Sequence, residues 1–402
     1  MSTTNPGPTD LVRVARVLQP HTVALRRALH RRPEQGLHLP ETQSAVLRAL
    51  ADLPVQVHTG RSTTSVVGVI EGGRPGPTVL LRADMDALPV TEESGVPFSS
   101  QTAGSMHACG HDTHVAMLAN AARLIAEHRH ELAGRVLLMF QPGEEGFHGA
   151  RYMLDEGLLE LTGTPERAFA LHITSSLPSG LVQTRPGVIL ASADTLRVTV
   201  TGRGGHASAP HKALDPVPAA AAMVGALQTM VTRVLTVFDP AVLTITRIAA
   251  GTTSNVIPET AELEGTIRAL SEHTRTTVHE QVRRVCEHVA AAHGCTATIE
   301  IEQGYPVTIN DAQVSPQVLG LARRVLGEGH AELMPDPLMG AEDFSYVLAK
   351  VPGAMAFLGA CPPGHQPETA PANHSNRAVF DESAMVHGVA LYAGFALEAL
   401  TS

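Results

Sequence analysis

The chain has 402 residues, of which 44% are apolar and 17% charged, with a formal net charge of −10. This length exceeds one ordinary hydrophobic core, so the expectation is a soluble globular protein of two or three domains. The acidic balance excludes a phosphate-binding surface, which needs clustered Lys and Arg, and predicts no nucleic-acid partner.

The first twenty residues, MSTTNPGPTDLVRVARVLQP, lack the apolar core of a signal peptide. The longest apolar run, PVPAAAAMVGALQTMV at 216–231, reads as too short and too broken to span a bilayer. Cysteines at 109, 286, 295 and 361 are scattered and form no disulfide framework, which suits a reducing compartment. A cytoplasmic protein with no membrane partner is expected.

After a Pro/Gly-rich head, an amphipathic helix is predicted over 11–29. Continuous apolar runs follow at 65–70, 78–83, 135–140 and 168–173, the pattern of strands buried on both faces. A helix over 113–130 falls among them, so the first half reads as a mainly parallel, helix-covered sheet. The middle differs. DTLRVTVTG at 194–202 alternates apolar and polar residues, marking a half-exposed strand. A helix over 215–234, strands at 241–248 and 260–270, a helix over 272–293 and a strand at 296–302 complete a βαββαβ order. That is the ferredoxin-like motif, whose outer strands lie side by side, so it can be inserted into a host domain. The expected organisation is a discontinuous α/β domain, 1–186 and 304–402, interrupted by an inserted unit, 187–303.

Chemistry collects just beyond the predicted parallel strands. Asp84 and Asp86 follow strand 78–83; Glu144 and Glu145 follow strand 135–140; His172 closes the next; Cys109 and His111 precede a helix predicted to start near Asp112. Carboxyl ends of strands are where open α/β sheets bind ligands. Cys-Gly-His lets a thiolate and an imidazole face one centre, and with carboxylates they form a borderline-soft donor set suited to Zn²⁺, Mn²⁺, Co²⁺ or Ni²⁺. The bland alternative is a buried structural cysteine beside capping residues. Neighbouring side chains in an extended loop point in opposite directions, so one of Glu144 and Glu145 can bind metal while the other serves as base; an isolated pair would read as a solvated turn. Asp84 or Asp86 is suited to orienting a ligand histidine, or merely to capping a loop. His374 alone reads as a surface histidine. TGRGGHASAPH has neither G-x-G-x-x-G nor a P-loop Lys-Ser/Thr; it reads as a glycine-rich turn holding His206 exposed, or as a polar hairpin tip.

Taken in order, LHRRPEQGLHLPET, LRADMDALPVTE, MHACGHDTHVAML, FQPGEEGFHGA, GRGGHASAPH, TSNVIPE, GAEDFSYV and NHS resemble the aminoacylase and carboxypeptidase metallopeptidase family in its hippurate hydrolase and N-acyl-amino-acid amidohydrolase branch. The resemblance covers nearly the whole chain. It implies a pair of divalent metals (zinc or manganese foremost, cobalt or nickel as alternatives) held by Cys109, His111, Glu145, His172 and His374. It further implies Glu144 as catalytic base, Asp86 as support for the metals, and His206 as a lid histidine. Asn255 and Arg268 match the residues that hold a substrate carboxylate. A homodimer is implied, with the inserted domain as lid and association surface. The implied reaction is hydrolysis of the amide of a small N-acyl amino acid. The alternatives are a dipeptidase or exopeptidase on the same scaffold, and a metal-bound binding protein without catalysis. Two departures stand out: Asp84-Met-Asp86 replaces the His-x-Asp of other branches, and the residues around His374 diverge from the branch pattern.

Overall fold

The computed structural model describes residues 8–401; the Pro/Gly-rich head up to residue 7, where the signal-peptide reading begins, lies outside them. The chain forms two compact units: residues 1–189, 309–336 and 346–402, and residues 190–308 and 337–345.

The first unit is built on an eight-stranded sheet in the order Gln56–Thr59, Val66–Glu71, Ala133–Gln141, Arg74–Asp84, Arg167–Thr174, Gly353–Gly359, Val182–Thr184, Ala331–Leu333. Its centre is parallel, from Ala133–Gln141 through Arg74–Asp84 and Arg167–Thr174 to Gly353–Gly359. The flanking pairs of Val66–Glu71 are antiparallel. The central strands read as apolar runs because both faces are covered: Thr78 to Asp84 are all buried. The helices Pro8–His30, His111–Glu127, Val314–Leu326 and Met385–Leu400 contribute to one core. Met385–Leu400 lies close against His111–Glu127 because residue 388 is glycine; a Cβ there would sit 2.0 Å from Met117 Sδ.

The second unit is a four-stranded antiparallel sheet in the order Ala241–Ala250, Thr260–Ala269, Asp194–Thr201, Thr296–Gln303. The helices Pro216–Val234 and Glu272–Ala292 supply the rest of its core, with Leu196, Val198, Val200, Met223, Leu227, Val278 and Val282 inside. Asp215 and Ser271 cap the two helices by accepting the backbone N–H groups of Val217 and Thr274, a contribution of about 1 kcal/mol each. Asp194 lies opposite Gln303 and Thr201 opposite Thr296, so the first and last strands are adjacent, as the ferredoxin-like order requires.

The segment Pro216–Val234 is a helix of 19 residues, long and apolar enough to cross a membrane by length and composition, as is Glu382–Leu400. Pro216–Val234 is buried along one side rather than all round. Ala219, Ala220, Met223, Leu227 and Met230 form its buried stripe, and Glu382–Leu400 is mostly buried.

Candidate metal centre

The first unit gathers its chemistry at the carboxyl ends of the parallel strands. Asp84 ends one strand and Asp86 lies two residues beyond; Glu144 and Glu145 follow the strand ending at Gln141. His111 is the first residue of its helix rather than lying before it, a one-residue difference at a helix end. His172 lies within Arg167–Thr174, opposite Phe357, rather than at its close. The hinge between Cys109 and the helix is Gly110, at φ 84°. No larger residue fits there, since a Cβ would approach Ile173 Cγ2 to 2.5 Å; glycine both reaches this conformation and leaves room for the strand.

Ligand-type atoms of Cys109, His111 and His172 lie within 4.8 Å of one another, and so do those of Cys109, Glu145 and His374, and of His111, Glu144 and Glu145. Cys109 is common to the first two groups. The structure thus brings together Cys109, His111, Glu144, Glu145, His172 and His374 within one unit. Asp86 joins them through the backbone: its carboxylate accepts N–H from Glu144 at 2.9 Å and from Glu145 at 3.0 Å, and Oδ1 lies 3.6 Å from His111 Nδ1. It fixes the acidic loop and faces the back of the histidine, as partners of ligand histidines do.

Hydrogen bonds assign several tautomers. Ile173 N–H donates to His114 Nε2 at 2.7 Å, so His114 Nδ1 carries the proton and donates to Asp84 Oδ1 at 2.5 Å. Both nitrogens of His114 are therefore committed, although it lies among Asp84 and His111. Asp84 also accepts from buried Arg82 at 2.7 Å. It is a fully buried anchor for the histidine helix, a role that its sequence position left open. His172 donates from Nδ1 to the Ile173 carbonyl at 2.8 Å, leaving Nε2 at 3.4 Å from Cys109 Sγ.

Electrostatics show what burial alone would forbid. Burial disfavours a charged Cys109, yet His172 and His111 beside it hold its thiol well below the ordinary range. Burial, followed by the charge of Cys109, pushes Glu145 up to about 7. Cys109 and Glu145 push His374 up to about 10. These are protons that a cation would displace.

The residues fit a metal by a further observation. His111 is completely buried, yet neither ring nitrogen makes a hydrogen bond, Asp84 and Asp86 standing 3.5 and 3.6 Å away. Glu145 Oε1 makes none either, its nearest ion-pair partner being His374 Nε2 at 3.3 Å. Unpaired buried polar atoms cost about 1–3 kcal/mol each. Here they converge on one point, among thiolate, imidazole and carboxylate donors suited to a borderline cation. His374 is one of only two non-glycine residues with positive φ among those described, at 70°; backbone strain of this kind concentrates at functional sites. His107 is also buried and without partners, but burial lowers it to about 4 and so keeps it neutral.

Three further sequence candidates belong to the second unit. His206 is exposed and pairs with Val256. The Ser208 N–H and hydroxyl approach its Nδ1 at 3.1 and 2.8 Å, which leaves Nε2 as the protonated, outward donor. Asn255 is exposed, its Oδ1 accepting from the Thr253 hydroxyl. Arg268 is half-buried in strand Thr260–Ala269. Sequence reasoning missed His114 and Asn373, whose amide reaches the Cys109 and Ile173 carbonyls. The spacing of His111 and His114 was the available signal for the first, and the place of Asn373 in NHS beside His374 was the signal for the second.

Residues 80–398 match peptidase family M20/M25/M40. Thermostable carboxypeptidase 2 of Saccharolobus solfataricus is 38% identical over 380 residues, covering 94% of each chain. IAA-amino acid hydrolase ILR1-like 2 of Arabidopsis thaliana is 37% identical, covering 94% of this chain and 85% of its own length. An N-acetylcysteine deacetylase of Bacillus subtilis is 37% identical, over 84% and 87%. Among solved structures, a dinuclear metal-binding M20 peptidase of Bacillus subtilis superimposes with a TM-score of 0.82 at 32% identity, covering 96% of this chain and 99% of that one.

Proposed function

Since this chain belongs to peptidase family M20/M25/M40, and is a hydrolase of that family, we propose that it hydrolyses the amide bond of small N-acyl amino acids. The observation that carries the reading is the buried His111, neither ring nitrogen hydrogen-bonded, beside Cys109 and Glu145, with a second carboxylate, Glu144, adjoining it. Relatives named for hydrolysis of IAA-amino acids and deacetylation of N-acetylcysteine favour an N-acyl substrate, while a carboxypeptidase relative keeps peptide cleavage as the competing reading.

In this reading Cys109, His111, Glu145, His172 and His374 hold two divalent cations, zinc or manganese. Such a pair supplies Lewis acidity and makes water acidic enough to attack at neutral pH. Glu144 takes the proton from the water whose oxygen attacks the amide carbon. As the C–N bond breaks, the same carboxyl returns that proton to the departing amine. His206 donates from Nε2 to the developing oxyanion, and Asn255 and Arg268 hold the substrate carboxylate. Burial disfavours charge on Arg268, and a substrate carboxylate would supply a compensating partner. The products are a carboxylic acid and a free amino acid. Asp86 holds the loop that aims Glu144 and Glu145.

We further propose a homodimer in which the βαββαβ unit serves as lid and association surface, and a cytoplasmic location, which suits four free, buried cysteines. The deciding measurement pairs N-acyl amino acids with dipeptides that share one leaving group, on protein of known metal content. Faster turnover of the N-acyl series, abolished by chelation and restored by Mn²⁺ or Zn²⁺, is expected. Preference for the free α-amine would establish the peptidase reading, and full activity in metal-free protein would end both. His206→Ala should lose about 10²–10³ in kcat with metal content unchanged.

A further inference from the structure

Asn373 immediately precedes His374 and is half-buried. Its Nδ2 donates to the Cys109 carbonyl at 3.1 Å and to the Ile173 carbonyl at 3.0 Å, and lies 3.9 Å from Cys109 Sγ. Its Oδ1 accepts from Ser175 N–H at 3.4 Å. The Ile173 carbonyl is the same oxygen that receives His172 Nδ1–H. One side chain therefore reaches the backbone and sulfur of Cys109, the acceptor that orients His172, and the chain carrying His374.

The surrounding backbone completes the clamp. His374 N–H donates to the Ala108 carbonyl at 2.9 Å, and the Ser175 hydroxyl donates to the Pro371 carbonyl at 2.8 Å. These bonds hold His374 in its left-handed conformation. A carboxamide carries two N–H donors and an acceptor on one short side chain. Aspartate has the same shape but would set negative charge against two carbonyls and a thiolate.

We infer that Asn373 is a positioning residue for the metal centre: it fixes the Cys109 sulfur and the rings of His172 and His374 in one arrangement, and its N–H moderates the donor strength of the thiolate. The inference rests on the reading of these three residues as metal ligands. Groups in this position typically contribute 10–100-fold to metal affinity.

The test uses cobalt alone, titrated into metal-stripped full-length protein and followed by the near-ultraviolet thiolate-to-cobalt band. Wild type should show the band and Cys109→Ser should lose it. Asn373→Asp should bind cobalt about 10–100-fold more weakly, with the band shifted, while metal-free thermal unfolding stays close to wild type. Asn373→Gln, which keeps donors and acceptor, should recover part of the affinity. Asn373→Ser, smaller and polar, replaces the aspartate variant if that fails to fold, with the same expected loss. A wild-type band together with unchanged affinity and band position in the variants would overturn the role of Asn373 and leave the ligand set standing. A wild type without the band would remove the ligand set itself, and this inference with it.

Discussion

Each compact unit buries a cluster of charged side chains, and the two clusters are finished differently. In the second unit, Asp194 accepts from Arg275 Nε at 3.0 Å and from its terminal nitrogen at 2.5 Å, from His279 at 2.6 Å and from Gly304 N–H at 3.1 Å. In the first unit, neither ring nitrogen of His111 makes a hydrogen bond, nor does Glu145 Oε1, whose nearest ion-pair partner is the exposed His374 at 3.3 Å. Both clusters are buried and both perturb proton affinities, so neither property separates them. Satisfaction does: a closed network holds a fold together, and an open one is built for a ligand.

The largest expected effect tests the open cluster. Glu144→Gln should keep its metal and lose about 10²–10⁴ in kcat, whereas Glu145→Gln should lose metal as well. Metal analysis beside steady-state kinetics separates the two, and equal behaviour of both variants would refute the division of labour.

Breaking the closed cluster should cost stability instead. Asp194→Asn leaves Arg275 buried with one fewer full charge opposite it, a change of about 3–5 kcal/mol by urea unfolding. Burial opposes the charge on Asp194, but His279 and Arg275 hold its carboxyl below the ordinary range. Its folded-state value is therefore lower than the unfolded value of about 3.9. The stabilisation is complete above that unfolded value and is lost as pH falls through the folded one. The gap between wild type and variant should be constant from about pH 5 to 7 and should close below about 4. A gap that widened in acid would contradict the assignment.

The smallest effect has the opposite sign. In metal-free protein Glu145 is pushed up to about 7, so stability falls as pH rises from the unfolded value of about 4.3 to about 7 and is level above that. Glu145→Gln should stabilise the metal-free protein at pH 8 by up to about 3 kcal/mol. The gain should shrink as pH falls below about 7 and vanish under the unfolded value of about 4.3, where both states hold the proton. A destabilised variant at pH 8 would place Glu145 with the closed type of cluster.

Much of this was legible in order and periodicity. Continuous apolar runs marked the central strands because covered sheets admit no polar alternation, and Asp194–Thr201 alternated because one face is open. The helix Pro40–Leu50 went unread; its first turn is held by Glu34, whose carboxylate accepts the N–H groups of Glu41 and Thr42 from outside the helix. No side chain of its own caps it, although Pro40 at its first position and Glu41 in its first turn were local signs of a helix start.

What the sequence determined by itself was the set of donors and their place at strand ends, because alternation, glycine hinges and residue chemistry act within a few neighbours. What only the tertiary structure decided was how each donor is used. His111 and His114 are both histidines on one helix, three residues apart. One has neither nitrogen hydrogen-bonded, while the other has both committed to Asp84 and Ile173. Asn373 likewise acquires its role from carbonyls 264 and 200 residues away. Hydrogen-bond satisfaction is set by which groups packing brings within about 3 Å, and no local pattern encodes partners that distant in the chain.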